Sequence, residues 1–363
     1  MFGAVRLATC IALELALAAG TVGGVWLGVS QVAHVAFQGQ VAAAATPTEV
    51  TLPRLVEPLA TARLPIAAPF VATVFGAPDD DLLAPLGASP LARVKLNHGG
   101  TSLSLRLEFA SGARAAFKPQ QTHPQSDPKR EIAAYRIDRL LGIGHVAPAK
   151  SIALSIDDLI AGVEPDGRTY TQARLAEEAI ARDGTLRGVV SWWIPEIVDL
   201  KFHGAKLDEP DGMAAWQALL QHGAKIPDAD RGLLAQLSAC VLFDVLIDNA
   251  DRWSGSNTKG SPDGRTLYFM DNTLSFQPYT VGHEANLSPL HRIEVFSRTL
   301  VGKLRELTYA TLVATLSGSD PGGLAPLLTP FEIRAILARR DNAVRYIDML
   351  IEQFGADSIL ALP

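Results

Sequence analysis

Cysteine is almost absent from this chain of 363 residues, which contains only Cys10 and Cys240. Cys10 lies in an apolar N-terminal segment and Cys240 in an apolar run of helical character, so we expect no disulfide between them. The eight histidines are scattered, and no cysteine–histidine spacing typical of a zinc site occurs. The sequence therefore predicts neither a disulfide framework nor a zinc centre, and Cys240 is expected to be a small buried hydrophobic residue.

An excess of basic residues is also absent. The chain has 32 Lys and Arg against 38 Asp and Glu, and its net charge is −6. Proteins that bind nucleic acid depend on basic residues that neutralise phosphates and release counterions, so nucleic acid is not expected as a partner. Hydrophobic residues make up 48% and charged residues 19% of the chain, which predicts a sizeable core rather than bulk disorder.

A long apolar segment is present at the N-terminus. Residues 7–29 are almost wholly apolar and follow Arg6, which predicts a signal anchor or a signal peptide over residues 1–29. Glu14 interrupts the segment, and an amphipathic or buried helix is the alternative. The Ala-rich residues 41–46 offer small side chains for cleavage. With Arg6 on the cytoplasmic side, the rest of the chain is expected to be extracytoplasmic, either anchored in the membrane or secreted.

Proline is concentrated in the next segment. Eight prolines lie between Pro47 and Pro90, a density that the interior of a helix does not accept. Residues 30–92 are therefore predicted to be a Pro- and Ala-rich linker or a wrapping arm. A single globular domain is predicted over residues 93–363.

This domain is predicted to begin with strands. Residues 102–109 alternate apolar and polar side chains, and residues 114–119 return after a turn, so the two segments are expected to form a hairpin that ends near Lys118. A helix follows between Asp127, a residue type that caps helices, and Gly142, a residue type that ends them.

The remainder is predicted to be mostly helical. Residues 231–247 form a strongly apolar helix, and residues 266–276 have the pattern of a short strand that is interrupted at Asp271. Thr329 and Glu332 form a capping box at the start of a C-terminal helix. The fold class that follows is α+β, with a small β-containing lobe ahead of a mostly helical lobe.

Charged residues stand in an order that suits phosphoryl transfer from ATP. Lys118 follows the hairpin, Glu131 lies in the first turn of the next helix, Asp251 and Arg252 follow the apolar helix, and Asp271 comes last. Phosphoryl transfer requires a cation for the phosphates, a carboxylate that holds this cation, a group that orients the acceptor hydroxyl, and a carboxylate that carries the metal.

Each of these positions also has an ordinary structural interpretation. Lys118 fits a solvated strand end, Glu131 a charge that complements the helix dipole, and Asp251 with Arg252 a loop ion pair. Asp271 differs because its apolar neighbours predict a buried or nearly buried carboxylate, which a metal ion or a basic partner must stabilise.

Four stretches of the sequence resemble a known family. They are "GGTSLSLRLEFASGARAAFKP", "REIAAYRIDRLLGIGHVAPA", "DVLIDNADRW" and "LYFMDNTLSF", and they resemble the secretory-pathway kinase family of the Golgi casein kinase, the xylose kinase and the four-jointed kinases, over roughly residues 95–300. The resemblance implies a two-lobed, atypical protein-kinase-like fold, within a superfamily that includes HipA-type and phosphoinositide kinases. It implies ATP and Mg²⁺ or Mn²⁺ as cofactors, with transfer of the γ-phosphoryl group to a hydroxyl of a protein (Ser/Thr) or of a sugar.

The resemblance also implies roles for single residues. Asp251 matches the catalytic aspartate and Asp271 the metal-binding aspartate. Lys118 matches the lysine that binds the ATP phosphates, and Glu131 its partner and a further candidate metal ligand. A turn that covers the phosphates is matched by Gly99 and Gly100, because backbone N–H groups approach phosphate closely where no Cβ intervenes.

Supporting roles and one departure complete the comparison. Asn257 is a candidate metal ligand, and the candidate supporting residues are Arg252, Asn272 and Asp248. Trp253 stands where the family usually has histidine after Asp-Arg. This departure favours, as an alternative to a kinase, a pseudokinase that binds a partner or nucleotide without turnover. An adenylyl transferase is a second alternative, because kinase-like folds can carry out other transfers from ATP. A purely structural protein is a third alternative, and the oligomeric state is left open.

Overall fold

A computed structural model describes residues 73–97, 101–254 and 257–363 of the chain. The predicted signal anchor or signal peptide over residues 1–29, together with Gly99 and Gly100, lies outside the described residues. None of the helices in the described ranges is long and apolar enough to cross a membrane.

One antiparallel sheet dominates the N-terminal part of the described chain. Its strands run in the order β1-β2-β3-β6-β4, and β5 pairs with β6. The strands are β1 (Leu91–Leu96), β2 (Leu105–Phe109), β3 (Arg114–Pro119), β4 (Ala149–Ser155), β5 (Ala181–Arg182) and β6 (Thr185–Trp192). The predicted hairpin is confirmed as β2 and β3, which pair from Leu105↔Phe117 to Glu108↔Arg114.

The observed strand β2 is shorter than the alternating sequence that predicts it. The pattern begins at residue 102, whereas β2 begins at Leu105. Gln121 accounts for the difference, because its side-chain amide accepts from Leu103 N at 2.8 Å and donates to Leu103 O at 3.0 Å. A side chain thus replaces the partner strand for this buried backbone, as a buried peptide group requires.

Helix α2 (Pro128–Leu141) follows the hairpin and begins and ends where the sequence predicts. Asp127 caps it by accepting from Lys129 N, and Gly142 ends it in the left-handed conformation at φ 68. Its apolar side buries Ile132 and Ile137 in the core of the helical part. Glu131, in the first turn of α2, contacts Lys118 near the end of β3.

Helices make up most of the rest. The predicted apolar helix is α6 (Asp228–Ile247), and the predicted capping box of Thr329 with Glu332 begins α10 (Pro330–Phe354). The other helices are α1 (Asp79–Leu83), α3 (Ile156–Ala161), α4 (Pro165–Glu178), α5 (Pro210–Leu219), α7 (Glu284–Leu290), α8 (Arg298–Glu306), α9 (Tyr309–Leu316) and α11 (Ala356–Ile359). Short strand pairs join β7 (Val198–Asp199) to β10 (Lys259–Gly260) and β8 (Lys201–Phe202) to β9 (Ala205–Lys206).

Two main hydrophobic clusters divide the molecule into two lobes. The smaller cluster covers the sheet and includes Leu105, Phe117 and Val190. The larger cluster surrounds α6 and α10 and includes Phe243 and Ile336. Cys240 lies in this larger cluster as a buried free thiol, as predicted.

The strand predicted over residues 266–276 is wrong. This segment makes only an isolated bridge between Leu267 and Gly260. Two of its residues, Asp271 and Phe276, have positive φ angles of 52 and 61, which no continuous strand accommodates. The apolar residues of this segment are buried, but the segment is irregular and is held by side-chain hydrogen bonds.

Residues 73–92 pack on the domain, in the segment for which the sequence left a linker or a wrapping arm open. The ring of Phe75 stacks on Tyr268 with centroids 5.8 Å apart. The Asp79 carboxylate accepts from Arg139 Nε at 2.7 Å and from the Tyr135 hydroxyl at 3.0 Å. The contacts of Asp79 join residues 73–92 to α2, and the boundary at residue 93 stays a prediction.

Candidate active site

Lys118, Glu131 and Asp271 meet in space, although they are far apart in the chain. Lys118 Nζ donates to Glu131 Oε1 at 3.1 Å and to Asp271 Oδ1 at 2.8 Å. Lys118 and Asp271 are separated by 153 residues. The structure thus brings together the cation and two of the carboxylates that the sequence selected.

The position of Lys118 is fixed by the sheet. In β3 it pairs with Val189 of the central strand β6, and the next pair is Pro119 with Gly188. A Cβ atom on Gly188 would lie only 2.4 Å from Lys118 O and 2.8 Å from Pro119 Cα. Glycine is therefore needed at this position because any side chain would push β3, and Lys118 with it, out of place.

Glu131 joins this cluster to the Asp271 motif. Its Oε1 also accepts from the backbone N–H of Asn272 at 3.1 Å, and its Oε2 accepts from Asn272 Nδ2 at 3.2 Å. Glu131 is buried, and both of its oxygens are used in this way. It therefore holds Lys118 and the segment after Asp271 in one arrangement, which gives Asn272 the supporting position that was predicted.

Asp271 is less enclosed than its apolar neighbours predict. Its side chain is 43% exposed, so the prediction of a buried or nearly buried carboxylate is wrong. The left-handed backbone at φ 52 turns the side chain away from the core residues on either side. Desolvation favours the neutral acid, but the charge of Lys118 and hydrogen bonds from Lys118 and Thr273 hold the pKa of Asp271 below its usual range.

The pKa of Lys118 is raised by the same contacts. Burial on its own would lower it, but the charges of Asp271 and Glu131 outweigh this effect. Lys118 is therefore a permanent cation at physiological pH.

Asp251 lies in the loop after α6, apart from the Lys118 cluster. Its Oδ1 accepts from Ser254 Oγ at 2.6 Å and its Oδ2 accepts from Asn257 Nδ2 at 2.8 Å. Asn257 also donates to Asp251 O at 3.0 Å. In this structure Asn257 thus orients Asp251, and its predicted role as a metal ligand stays a prediction.

Arg252 is completely buried and ties the loop to its surroundings. Its guanidinium pairs with Asp244 of α6 at 3.2 Å, and neither side chain has any exposed surface. It donates to Asn272 Oδ1 at 3.0 Å, to Asn257 O at 3.4 Å and to Met270 O in a very short bond. This places Arg252 in the supporting position that was predicted, between the Asp251 loop and the Asp271 motif.

Asp244, the buried partner of Arg252, was not predicted from the sequence. It interrupts the apolar run Val241–Ile247, and a lone carboxylate inside such a run is a signal that a buried cation lies nearby. Burial raises its pKa, and Arg252 opposes this shift.

Two further residues connect the segments from inside. Asn249 Nδ2 donates to Asp271 O at 3.1 Å and to Asn272 Oδ1 at 3.2 Å. Asp248 ends α6 in the left-handed conformation at φ 57, and its Oδ1 accepts from His283 N at 2.7 Å. Asp248, a predicted supporting residue, thus connects the end of α6 to a later segment.

Trp253, where the resembling family usually has histidine, packs on Trp216 with ring centroids 5.4 Å apart. Its buried Nε1 has no hydrogen-bond partner among the described residues. The indole therefore anchors the loop by packing against the core of the helical lobe.

A cleft of about 300 Å³ opens beside Lys118, Glu131 and Asp271. Its polar end carries these three residues, and its apolar walls include Trp192 and Phe269. Such a combination of apolar walls with a few charged groups at one end is typical of a small-molecule site. Asp251 is not among the residues that line the cleft.

Comparison with known proteins finds similar sequences. No family model matches the chain. The sequence is 25% identical over 318 residues to the glycosaminoglycan xylosylkinase of Danio rerio, covering 77% of this chain and 76% of the relative. It is 22% identical over 312 residues to the Homo sapiens glycosaminoglycan xylosylkinase, covering 76% of each chain.

Solved structures are similar in fold. The structure of the Golgi casein kinase matches with a TM-score of 0.61 and 18% identity, over 78% of this chain and 77% of that one. The Golgi casein kinase with Mn/ADP bound matches with a TM-score of 0.59 and 18% identity, over 78% of both chains. Hydra Fam20 with sugar matches with a TM-score of 0.57 and 19% identity, over 76% of this chain and 90% of that one. The predicted two-lobed α+β fold is confirmed.

Proposed function

The chain resembles the secretory-pathway kinases in sequence and in fold, and we propose that it is an ATP-dependent kinase that phosphorylates a hydroxyl of a sugar or a protein. The observation that carries the proposal is the contact of Lys118 with Glu131 and Asp271 at 3.1 and 2.8 Å. It assembles, at one end of a cleft, a cation for phosphates and a carboxylate for a metal ion.

Lys118 binds the phosphates of ATP in this proposal. Its charge is maintained because the neighbouring carboxylates raise its pKa. Glu131 holds it in position and is itself fixed by Asn272. The apolar walls of the cleft receive the base and the ribose.

Asp251 orients the acceptor hydroxyl. The acceptor oxygen forms a bond to the γ-phosphorus, the bond from that phosphorus to the departing ADP oxygen breaks, and the hydroxyl proton passes to the Asp251 carboxylate. Hydrogen bonds from Ser254 and Asn257 fix the direction of this carboxylate before substrate arrives.

Asp271 is the residue that would hold a divalent metal ion, and its surroundings fit this role. Lys118 and Thr273 both donate to Oδ1, and the side chain is 43% exposed, so a carboxylate oxygen remains accessible for coordination. Within the described residues no three Asp, Glu, His or Cys side chains are placed to hold a metal alone. Mg²⁺ and similar ions are commonly held by one or two carboxylates plus substrate phosphates, where they neutralise charge during transfer.

The proposal extends to the N-terminal segments, to the compartment and to two glycines. Residues 1–29 anchor the chain or direct its export, residues 30–92 connect this segment to the domain over residues 93–363, and the domain acts in an extracytoplasmic or lumenal compartment. The similarity to a Golgi enzyme supports this location. Gly99 and Gly100 cover the phosphates.

The test is a melting experiment with Mn²⁺ and ATP. Nucleotide at about 100 times its dissociation constant should add about 2.7 kcal/mol to the free energy of unfolding. Asp271→Asn should lose the metal-dependent part of this gain, whereas Asp357→Asn, which alters a fully exposed carboxylate, should keep it. Radiolabel in the γ-phosphate should then reach the acceptor. Transfer of an α-phosphate label would identify an adenylyl transferase, and stabilisation without any transfer would identify a pseudokinase.

A further inference from the structure

Residues 73–92, here called the arm, reach the wall of the cleft at the proposed active site. Phe75 of the arm is only 9% exposed. Its ring centroid lies 5.8 Å from that of Tyr268, on which it stacks, and 5.8 Å from that of Trp192, which it meets edge-on. Phe75, Ile194 and Tyr268 form a third, small hydrophobic cluster. The arm therefore takes part in the core next to the proposed nucleotide site.

This third cluster and the cleft share residues. Trp192 and Ile194 line the cleft, and so do Ala147 and Met270, which pack against the cluster. Phe75 itself does not line the cleft. Its ring thus supports the wall from the side that is closed to the cleft. Protein interiors are close-packed, so loss of the ring would leave a cavity into which these side chains can move.

The turn after α2 joins the arm to the same wall. Val74 N donates to Gly144 O at 3.2 Å. The next residue of the turn, His145, accepts from Phe269 N at 3.0 Å through its backbone oxygen, and Phe269 lines the cleft. Val146, which follows, also lines the cleft. One short turn therefore contacts both the arm and the cleft wall.

Arg139 of α2 fixes the arm at a second point. Its Nε donates to Asp79 Oδ2 at 2.7 Å and its Nη2 donates to Asp79 Oδ1 at 3.1 Å. Nη2 also donates to Val146 O at 2.9 Å, and the guanidinium lies 5.9 Å from the centre of the Phe75 ring. A two-point contact between a guanidinium and a carboxylate restricts orientation as well as distance. Arg139 thus sets the position of Phe75 relative to the cleft wall.

The later part of the arm packs elsewhere. Leu86 is 2% exposed, so it is buried more deeply than Phe75. It belongs to the cluster of the sheet, and none of the buried residues described in that cluster lines the cleft. The arm thus has two buried anchors, and Phe75 is the one whose ring contacts a cleft-lining side chain.

We infer that Phe75 is a positioning residue of the nucleotide site, because it holds the wall formed by Trp192 and Met270 where the cleft receives the base and the ribose. Asp79 maintains this position through Arg139. The arm thereby determines how tightly the nucleotide binds, without contacting it. The inference rests on the proposed kinase function and deepens it by assigning part of nucleotide binding to a segment that precedes the sheet.

The test is calorimetric titration of the full chain with ADP in the presence of Mn²⁺, beside urea unfolding without nucleotide. Phe75→Ala should raise the Kd for ADP about tenfold, because a wall that is free to move loses preorganised contacts with the base. Phe75→Leu retains a large apolar side chain and should restore most of the affinity. Leu86→Ala removes a buried side chain from the same arm, so it should lower stability and leave the Kd unchanged.

A second pair of variants tests how the arm is fixed and creates no cavity. Asp79→Asn weakens the contact with Arg139 and should raise the Kd for ADP about threefold, in line with a partly exposed ion pair. Asp81→Asn changes an exposed carboxylate of the same helix α1 and should leave the Kd unchanged. This pair is decisive where Phe75→Ala is too unstable to purify, because equal Kd values for the two variants overturn the role of the arm.

The outcomes separate this inference from the kinase function. If the parent chain binds ADP with Mn²⁺ and Phe75→Ala binds it equally well, the role of Phe75 is overturned and the kinase function stays. An equal rise of the Kd in Phe75→Ala and Leu86→Ala would reflect general destabilisation, and it also overturns the inference. If the parent chain neither binds nucleotide nor transfers a phosphoryl group, the kinase function and the role of Phe75 are overturned together.

Discussion

Two carboxylate–cation clusters lie around the proposed active site, and they differ in access to solvent. The Lys118 cluster opens to the cleft, and its Asp271 side chain is 43% exposed. The Asp244–Arg252 pair has no exposed surface at all. Both pair a basic side chain with a carboxylate, an ammonium at 2.8 Å in the first and a guanidinium at 3.2 Å in the second.

This difference separates chemistry from support. Water, phosphate or metal can compete for Lys118 and Asp271, so their contact is exchangeable when nucleotide binds. Arg252 is surrounded by fixed acceptors, Asp244, Asn272 and two carbonyl groups. Burial makes such a pair costly to form and more costly to break on one side only. We therefore expect substitutions in the enclosed pair to reduce stability and substitutions in the open cluster to reduce activity.

The largest effect is expected for breaking the enclosed pair. Arg252→Met leaves Asp244 buried and without its cation, and it should lower the free energy of unfolding by about 3–5 kcal/mol. The measurement is urea unfolding, with the midpoint compared at an unchanged slope.

The matched control for this prediction removes both charges. Asp244→Leu combined with Arg252→Met leaves no unpaired charge and should be more stable than Arg252→Met alone. If the free energy of unfolding of Arg252→Met lies within about 1 kcal/mol of that of the parent, the two clusters do not differ as proposed.

An intermediate effect is expected for the open cluster. Lys118→Met keeps the length of the side chain and removes the charge, so phosphoryl transfer should fall about 10²–10³-fold, as for loss of one preorganised electrostatic contact. Stability should fall less than in Arg252→Met, because Asp271 is partly solvated and the buried Glu131 keeps its two hydrogen bonds from Asn272. Initial rates and urea midpoints measure this, with Lys150→Met on strand β4 of the same sheet as the control. Loss of stability without loss of transfer would show that Lys118 is only structural.

The smallest effect is expected at Trp253, next to the enclosed pair. Its ring packs on Trp216, and its buried Nε1 has no partner among the described residues. Trp253→Phe retains an aromatic ring and removes this unpaired donor, so unfolding free energy should stay within about 1 kcal/mol and transfer should be kept. A large loss of transfer at unchanged stability would indicate that the indole N–H contacts substrate. Trp253 would then belong with the residues that act in transfer, like Lys118.

Local signals predicted some parts of the fold well. Helix α2 was predicted at both ends because a capping Asp127 and a terminating Gly142 act on the backbone directly next to them. The same is true of the hairpin, where strict alternation and a turn specify β2 and β3. The ordered set of charged residues also selected Lys118, Glu131 and Asp271, which the structure brings together.

Other parts depend on contacts between distant segments. Residues 266–276 have the pattern of a strand, but hydrogen bonds donated by Asn249 and Arg252 and accepted by Glu131 impose an irregular backbone there. The exposure of Asp271 follows from that backbone and is not encoded in its neighbours. The sequence shows Asp244 as an isolated carboxylate in an apolar run. Its partner Arg252 lies beyond the end of α6, and the two side chains meet only because the loop folds back.

Arg252 also has a consequence for how the chain can be divided. Its bonds to Asp244, Asn257, Met270 and Asn272 join stretches on both sides of the exposed turn at Ser261–Gly264. Exposed turns of this kind tolerate insertions, nicks and new chain ends when the flanking structure stays joined. We therefore expect a cut at this turn to leave the segment of Asp251 joined to the segment of Asp271 through the hydrogen bonds of Arg252.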